Sequence, residues 1–505
     1  MREYATISLQ GEEDFIRNLE PVKVDRTILS DVERYCQNTA HKILALSGLR
    51  RTGKTALMMR QALNLIRAGK PVTYILCSRQ TNQRDLFMAI TRAMEYGCKY
   101  LFVDEITYVD GFADWADWIY NATVLKGCHC IIAGTDSYGL LLAHNRLLYD
   151  RIEWLRSTYI SFAEYHRVTG GDILQYVREG GVFTNIDVRD YVNASIVDNI
   201  VHSLQRYDEA NHDMLDDLSA AEIKTMLIKI LVRISFTITI GIIDRKYKHP
   251  DISSPHQLIT SKDPSFILEH EEQIKEKAAE FFGISEDLSR FTTKQRDSFA
   301  KHLEDILQRL DVIMPCAHYK AGAKPKEGQI NYLLTQPALR YQITQVYLTI
   351  LEEFGGEGSE LFSRVMAEDV EGRLLEAVVL AEAEKCYGNN SNIARTLSRS
   401  CDVLKLDGPG FDFDMVMLCK NTGKLSLYEI KRSDKIEQAQ CKHLRDDVSV
   451  EKAKEIMLAR NSNGAGITGV GKYVLYRGDE FQDGDVTYIN VERFLSGLGL
   501  SPNQV

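Results

Sequence analysis

Gly48-Leu49-Arg50-Arg51-Thr52-Gly53-Lys54-Thr55 fills the phosphate-loop pattern GxxxxGK[ST] without a substitution. A loop of this kind turns backbone N–H groups toward an anion, and Gly48 and Gly53 permit the tight path because they carry no Cβ. Lys54 can then reach the β- and γ-phosphates of a nucleotide, while the Thr55 hydroxyl can ligate Mg²⁺. The residues ahead of the loop, Ile43 to Ser47, form the short apolar run of a buried parallel strand. Those behind it, Ala56 to Leu63, are strong helix formers without Gly or Pro. Strand, glycine loop and helix are the setting the chemistry needs, since the helix N-terminus adds partial positive charge.

A pair of acids completes a hydrolytic set. Asp104-Glu105 follows the mostly apolar Tyr100-Leu101-Phe102-Val103. An aspartate at a strand end can hold Mg²⁺, often through water, and the glutamate beside it can polarise an attacking water. Lys54 and Asp104 at the ends of neighbouring parallel strands would meet at the carboxyl edge of the sheet, where ligands bind. Thr135 ends the next apolar run and can sense the γ-phosphate, or simply belong to a capping cluster with Asp136 and Ser137. Arg146 and Arg151 lie in a charged stretch close by, and either can act as an arginine finger.

These motifs resemble the AAA+-related ATPases often called archaeal-type ATPases, which are also widespread in bacteria. GLRRTGKT, LFVDE, the IIAGTDS strand, YISFAEY and VREGGVF carry the resemblance. It implies ATP and Mg²⁺ as cofactors and matches Arg151 to an arginine of the family. Leu49 stands where the family commonly has proline, and Asp136 where it favours serine.

Chemistry of another kind gathers near the carboxyl terminus. Phe411-Asp412-Phe413-Asp414-Met415-Val416 and Leu425-Ser426-Leu427-Tyr428-Glu429-Ile430-Lys431 flank the turn Asn421-Thr422-Gly423-Lys424. Two alternating runs around such a turn read as a β-hairpin. Side chains alternate along a strand, so folding the hairpin brings Asp414 opposite Glu429 or Lys431. Two carboxylates can hold a divalent metal, Mg²⁺ or Mn²⁺, and a lysine can orient or deprotonate water beside a phosphate. The arrangement resembles the PD-(D/E)XK nuclease superfamily. That resemblance implies a further acid from the preceding helix, matched here by Glu376, with Asp414, Glu429 and Lys431 as the catalytic core and DNA as partner. Gln438 or Gln440, after Lys431, is a further candidate for an assisting group.

The elements that must position these groups divide the chain into three stretches. A length of 505 residues suits about three domains. Residues 1–165 alternate short apolar strands with helical patterns, as a parallel α/β P-loop sheet does. Within them Trp115 and Trp118 are spaced to share one face of a helix. Residues 166–354 are mostly helical. A helix over 297–310, a strand from 311, the basic loop 320–328 and a strand from 329 outline either a winged helix or a plain hairpin. Gly355-Gly356-Glu357-Gly358-Ser359 is a linker. Residues 355–505 then read as an α/β nuclease-like domain, with a helix over 361–385 and a closing strand near 473–477. There is no internal repeat.

Composition narrows the rest. The chain has 44% hydrophobic and 26% charged residues, ordinary for a soluble globular protein, with a net charge of −10. That balance argues against an overall basic surface but leaves room for a local basic groove. The amino-terminal residues lack the apolar stretch of a secretory signal. Ten cysteines without a CxxC pair suit a reduced, cytoplasmic setting. Cys128-His129-Cys130 is too small to fill a tetrahedral site and suits strand packing. The apolar Ile234–Ile243 segment is too short to span a membrane. The expected function is ATP hydrolysis controlling a carboxyl-terminal metal-dependent nuclease-like domain that acts on DNA. The alternative is an ATP-operated switch whose carboxyl-terminal domain only binds DNA or protein. A homo-oligomer is compatible with both.

Overall fold

The structure, a computed structural model, describes residues 7–8, 12–19, 25–134, 139–140, 143, 148–181, 188–198, 200–201, 204, 218–243, 271–284, 288–320, 329–355, 359–388, 401–408, 411–435, 441–460 and 466–498. It divides into two compact units. The first comprises Met1–Ile160, Val182–Ile228 and Ile284–Val312; the second comprises Ser161–Gly181, Lys229–Gly283 and Ile313–Val505. The stretch expected to form a separate middle domain is thus divided between them.

The first unit is built on a sheet of six strands: β1 (Ile7–Ser8), β2 (Ile43–Ser47), β3 (Val72–Leu76), β4 (Tyr100–Asp104), β5 (His129–Ala133) and β6 (Ile152–Arg156). Its order is β1-β3-β4-β5-β2-β6, with β2 to β6 parallel and β1 antiparallel to β3. Every residue of β2 is buried, which explains its unbroken apolar run. The helix Lys54–Arg67 lays Leu57, Met58, Ala62 and Leu63 into a core with Leu44, Leu46, Phe102 and Ile131. Phe87, on the helix Gln83–Glu95, stacks on Trp118 and meets Trp115 edge-on, so the two tryptophans do share a packed face.

The second unit carries eight strands: β7 (Ile313–Lys320), β8 (Gln329–Leu334), β9 (Cys401–Gly408), β10 (Phe411–Cys419), β11 (Lys424–Ile430), β12 (Gly469–Tyr476), β13 (Phe481–Asp483) and β14 (Val486–Asn490). They are ordered β13-β14-β12-β11-β10-β9-β7-β8 in one mixed sheet. Its core is formed by Leu404, Leu406, Phe413, Val416, Leu418, Leu425, Leu427 and Val474, among others. Of the two outlines expected here, a winged helix or a plain hairpin, the described residues show the hairpin. β7 and β8 do pair antiparallel, but β7 also pairs in parallel with β9, so the hairpin is part of the large sheet. The helix Thr293–Arg309, which would have been the helical part of the wing, belongs to the first unit. The basic loop at 321–328 lies outside the described residues. The Ile234–Ile243 stretch falls in the helix Ala220–Ile243, and among the described residues no helix is long and apolar enough to cross a membrane.

Candidate nucleotide site and a buried acid–lysine cluster

β2 delivers the chain to the phosphate loop at the carboxyl edge of the first sheet. Gly48 adopts φ +148°, and a Cβ there would lie 2.2 Å from the Ser157 carbonyl oxygen, so no other residue fits this approach. Gly53 takes a left-handed φ of 83° immediately before the helix Lys54–Arg67. Lys54 is only 7% exposed. Its Nζ donates to the carbonyls of Gly48 at 2.8 Å and Leu49 at 2.9 Å, spanning the loop. Burial pushes its ammonium down to about 8, against the pull of Glu105 and Asp104, which favour the charged form. The Thr52 hydroxyl donates to the Leu49 carbonyl at 2.9 Å, tying the loop internally.

Two residues outside the motif brace it. Arg26 donates from Nη1 to the Thr52 carbonyl and, at 3.3 Å, to the Thr158 carbonyl. Ser157 donates its hydroxyl to the same Thr52 oxygen at 2.9 Å. Neither is legible in the sequence, because no local pattern links them to a loop that far along the chain.

Asp104 ends β4 and is 1% exposed. The Tyr74 hydroxyl donates to its Oδ2 and the Glu105 N–H to its Oδ1, both at 2.9 Å. Burial raises its pKa, with Glu105 adding to the rise, while hydrogen bonds from Thr55 and Tyr74 oppose it. The Thr55 hydroxyl and the Asp104 carboxylate are an oxygen pair that suits Mg²⁺, which takes hydroxyl and carboxylate donors with water. Glu105 holds φ 54°, a left-handed conformation costing about 1–2 kcal/mol for a residue with a side chain. Strain of this kind persists where the surrounding fold enforces a side chain's direction. The Glu105 carbonyl accepts from Tyr108 N–H at 3.0 Å, starting the short turn Ile106–Tyr108.

Two expectations about this site need correction. β2 and β4 are not neighbours, because β5 lies between them. Lys54 still feels the charges of Glu105 and Asp104, which favour its ammonium form. Arg151 does not reach this chain's own phosphate loop. It precedes β6, whose parallel register pairs Ile43 with Ile152, and its carbonyl accepts from Ile43 N–H at 2.8 Å. That is the amino edge of the sheet, about 16 Å along β2 from the loop at roughly 3.3 Å per residue. Its guanidinium sits 5.2 Å from the Tyr120 ring centroid instead. Thr135 and Arg146 lie outside the described residues. His129 donates from Nε2 to the Asn38 carbonyl (2.7 Å) and stacks on Tyr100, and Cys128 and Cys130 are buried, in keeping with a packing role.

Residues 40–166 match a family model described as an AAA domain. The first unit carries an AAA-type P-loop ATPase domain. Similar solved structures include a Walker-type ATPase of Pyrococcus abyssi, at 13% identity, 63% of this chain, 95% of that chain and a TM-score of 0.29. AMPPCP-bound DnaA from Aquifex aeolicus matches at 14% identity, 58% of this chain, 97% of that chain and a TM-score of 0.25. The Aeropyrum pernix Orc1 protein in complex with DNA matches at 12% identity, 69% of this chain, 94% of that chain and a TM-score of 0.22. No curated protein matches the chain.

The second cluster lies within the second unit. β10 and β11 pair with Met415 opposite Tyr428, which places Asp414 beside Glu429 one step further on. Both carboxylates are 5% exposed. Lys431 Nζ bridges them, 3.0 Å from Asp414 Oδ2 and 2.6 Å from Glu429 Oε2, and Ile430 N–H donates to Asp414 Oδ2 at 2.8 Å. On the other side the register of β10 against β9 slips between Phe413 and Val416. Asp414 and Met415 therefore oppose the single residue Lys405, a β-bulge, the device that commonly re-aims a side chain at a site. Lys405 Nζ lies 3.7 Å from Asp414 Oδ1 and 3.1 Å from Glu376 Oε2. Glu376, on the helix Ser359–Tyr387, also receives Arg373 Nη1 at 2.8 Å. The structure thus gathers Glu376, Asp414, Glu429 and Lys431, as expected, and adds Lys405 and Arg373. Gln438 and Gln440 lie outside the described residues.

The charges in this cluster are strongly coupled. Burial works against Asp414's charge, yet Lys431 and Lys405 hold it well below the usual carboxylate range. Glu429 is raised to about 8, first by burial and then by the Asp414 charge. Burial opposes the Lys431 charge, but Asp414 and Glu429 hold its ammonium above the ordinary lysine range. Of the two roles expected of Lys431, orienting or deprotonating water, its raised ammonium pKa favours the first. Asp412 is raised to about 7 by burial and by a hydrogen bond shared with Asp407, which His318 Nε2 meets at 2.5 Å. Among the described residues no three His, Cys, Asp or Glu side chains form a metal-holding group. Asp414 and Glu429 remain a two-carboxylate pair, which is the donor set Mg²⁺ uses when water and substrate phosphate complete its shell.

Proposed function

We propose that this protein binds and hydrolyses ATP in its first unit and that the nucleotide state controls a metal-dependent nuclease-like site, acting on DNA, in the second. The observation that carries the catalytic part is the convergence of Asp414, Glu429 and Lys431 across the β10–β11 hairpin, with Glu376 joined through Lys405. At the first site Lys54 would meet the nucleotide phosphates, Thr55 and Asp104 would hold Mg²⁺, and Glu105 would polarise the attacking water. At the second, Asp414 and Glu429 would hold Mg²⁺ or Mn²⁺, which when bound supplies Lewis-acid stabilisation of a phosphodiester. Lys431 steadies negative charge on the phosphate, and Glu429, titrating near neutrality, can carry a proton. This reading assigns ATP hydrolysis to the first unit, which holds most of 1–165, and the nuclease-like site to the second, which holds 355–505. DNA and a second copy of the chain are the partners this reading expects.

One observation favours a second reading. Each acid of the cluster already meets a cation: Asp414 meets Lys431 and Lys405, Glu376 meets Arg373 and Lys405, and Glu429 meets Lys431. A site so neutralised suits a binding module without catalysis, operated by ATP as a switch. Cleavage of DNA in Mg²⁺ or Mn²⁺ by pure wild-type protein, lost in Asp414→Ala, supports the first reading. No cleavage of any DNA or RNA form, with nucleotide-dependent binding intact, supports the second.

A further inference from the structure

The second unit contains a buried cation, Arg340, that makes no ion pair among the described residues. Arg340 lies on the helix Pro337–Gly355 and is 5% exposed. Neither its Nε nor its Nη1 has a hydrogen-bond partner. Gln336, one turn earlier and 2% exposed, has no partner for either atom of its side-chain amide. The Arg340 N–H bonds back to the Gln336 carbonyl at 3.4 Å, so the helical turn is formed and the two side chains share a face. Other well-shielded cations of this unit are matched: Lys405, Lys431, Arg373 and Lys472 each meet a carboxylate.

An uncompensated buried guanidinium costs several kcal/mol, and a buried amide with both ends unpaired adds to that. A fold tolerates such groups when a ligand satisfies them. The surroundings are shaped to keep the place compact. Gly181, at φ +98°, passes so close that a Cβ would lie 2.9 Å from Gln336 Cα, and Ala338 N–H donates to the Gly180 carbonyl at 3.2 Å. The first turn of the helix adds its own partial positive charge. Burial lowers the Arg340 pKa only to about 10, with Cys316 and Glu376 opposing the fall, so the group is still a cation at neutral pH. Glu376, a member of the acid–lysine cluster, is among the charges that act on it.

We propose that Arg340 and Gln336 form an oxyanion-binding site that takes a phosphate of the nucleic-acid backbone beside the acid–lysine cluster. The planar guanidinium presents paired N–H donors that match a phosphate, and the Gln336 amide supplies a further donor. The assignment of the phosphate to nucleic acid rests on the functional reading above; the oxyanion chemistry does not.

The test uses the full chain carrying Lys54→Ala, which silences the phosphate loop. Inorganic phosphate, acetate and a short single-stranded oligodeoxynucleotide are the probes, read by thermal unfolding and by direct binding. Phosphate and the oligonucleotide should raise the unfolding temperature, and acetate should do so less. Arg340→Met should remove the phosphate response and weaken the oligonucleotide at least tenfold, the loss expected for a charge-assisted hydrogen bond. Gln336→Leu should weaken it less, and Arg340→Lys should retain part of it. These two variants carry the test if Arg340→Met folds poorly. Unchanged phosphate and oligonucleotide binding in folded Arg340 variants overturns the site. A response to phosphate but none to the oligonucleotide overturns its assignment to nucleic acid. Cleavage is scored separately in Asp414→Ala. Arg340-dependent binding without any cleavage keeps the site and defeats the nuclease reading, whereas Asp414-dependent cleavage with Arg340-independent binding does the reverse.

Discussion

Lys405 stands alone opposite the bulged pair Asp414-Met415, with its Nζ 3.7 Å from Asp414 and 3.1 Å from Glu376. One ammonium thus joins an acid on a strand to an acid on the packed helix Ser359–Tyr387, and both are largely buried. Replacing it by methionine keeps the side chain's bulk but leaves two carboxylates sharing fewer cations. Breaking a buried pair at one partner costs about 3–5 kcal/mol. Lys405→Met should therefore lower the stability of the second unit by about 3 kcal/mol in urea unfolding, and Lys405→Met with Glu376→Gln should recover part of it. No loss in the single variant would show that the bridge is not formed.

The nucleotide site separates binding from turnover. Lys54→Ala removes the cation that spans the loop and should reduce ATP affinity at least tenfold, as loss of a charge-assisted bond to phosphate does. Glu105→Gln keeps the loop and the Thr55–Asp104 pair, so ATP should still bind while hydrolysis falls by about 10²–10⁴, the usual worth of a general base. Equilibrium binding of a labelled nucleotide beside single-turnover hydrolysis distinguishes the two.

Gly48→Ala tests the close packing of the loop on Ser157. A Cβ 2.2 Å from a backbone oxygen must displace the loop or the strand end after β6. Overpacking of this kind costs about 1–3 kcal/mol, and the displaced loop should lose ATP binding as fully as Lys54→Ala does. Ser157→Ala, by contrast, removes one hydrogen bond to Thr52 and should cost about 1 kcal/mol. Calorimetry of both variants with and without ATP measures the difference.

The pH dependence of the second unit follows from Glu429. Its folded pKa is raised from 4.5 to about 8, so the folded protein keeps a proton that the unfolded chain releases. The associated stability is fully present below about 4.5 and is lost as pH rises to about 8. Asp414, held low by its lysines, acts oppositely and contributes stability that disappears in acid. Glu429→Gln should flatten the fall in stability between pH 5 and pH 8 (about the two pKa values) without altering the acid limb. Denaturant midpoints across that range check it.

Much of this was legible in the residues. The phosphate loop, the paired acids after an apolar strand and the Asp414–Lys431 hairpin each carry a local pattern, and each lies in the expected element. Strand order was not legible. Apolar runs reveal strands, but nothing in β2 or β4 states that β5 inserts between them, because that order is set by crossovers and by which faces the helices cover. The same limit misplaced Arg151. Closeness in sequence to the third strand suggested the phosphate edge, whereas parallel pairing with β2 puts it at the other end. The role of Lys405 on β9 is not legible either, since the bulge in β10 that sets it opposite Asp414-Met415 is visible only in the pairing. Arg26 and Arg340 carry no local signal at all.

In the proposed function, nucleotide in the first unit governs phosphodiester cleavage in the second. The most direct measurement is Mg²⁺-dependent DNA cleavage by wild type, Lys54→Ala and Asp414→Ala, each with ATP, with ADP and without nucleotide. Wild-type cleavage should change with the nucleotide, Lys54→Ala should lose this dependence, and Asp414→Ala should not cut under any condition. Cleavage that ignores nucleotide in wild type, or persists in Asp414→Ala, would contradict the proposed function.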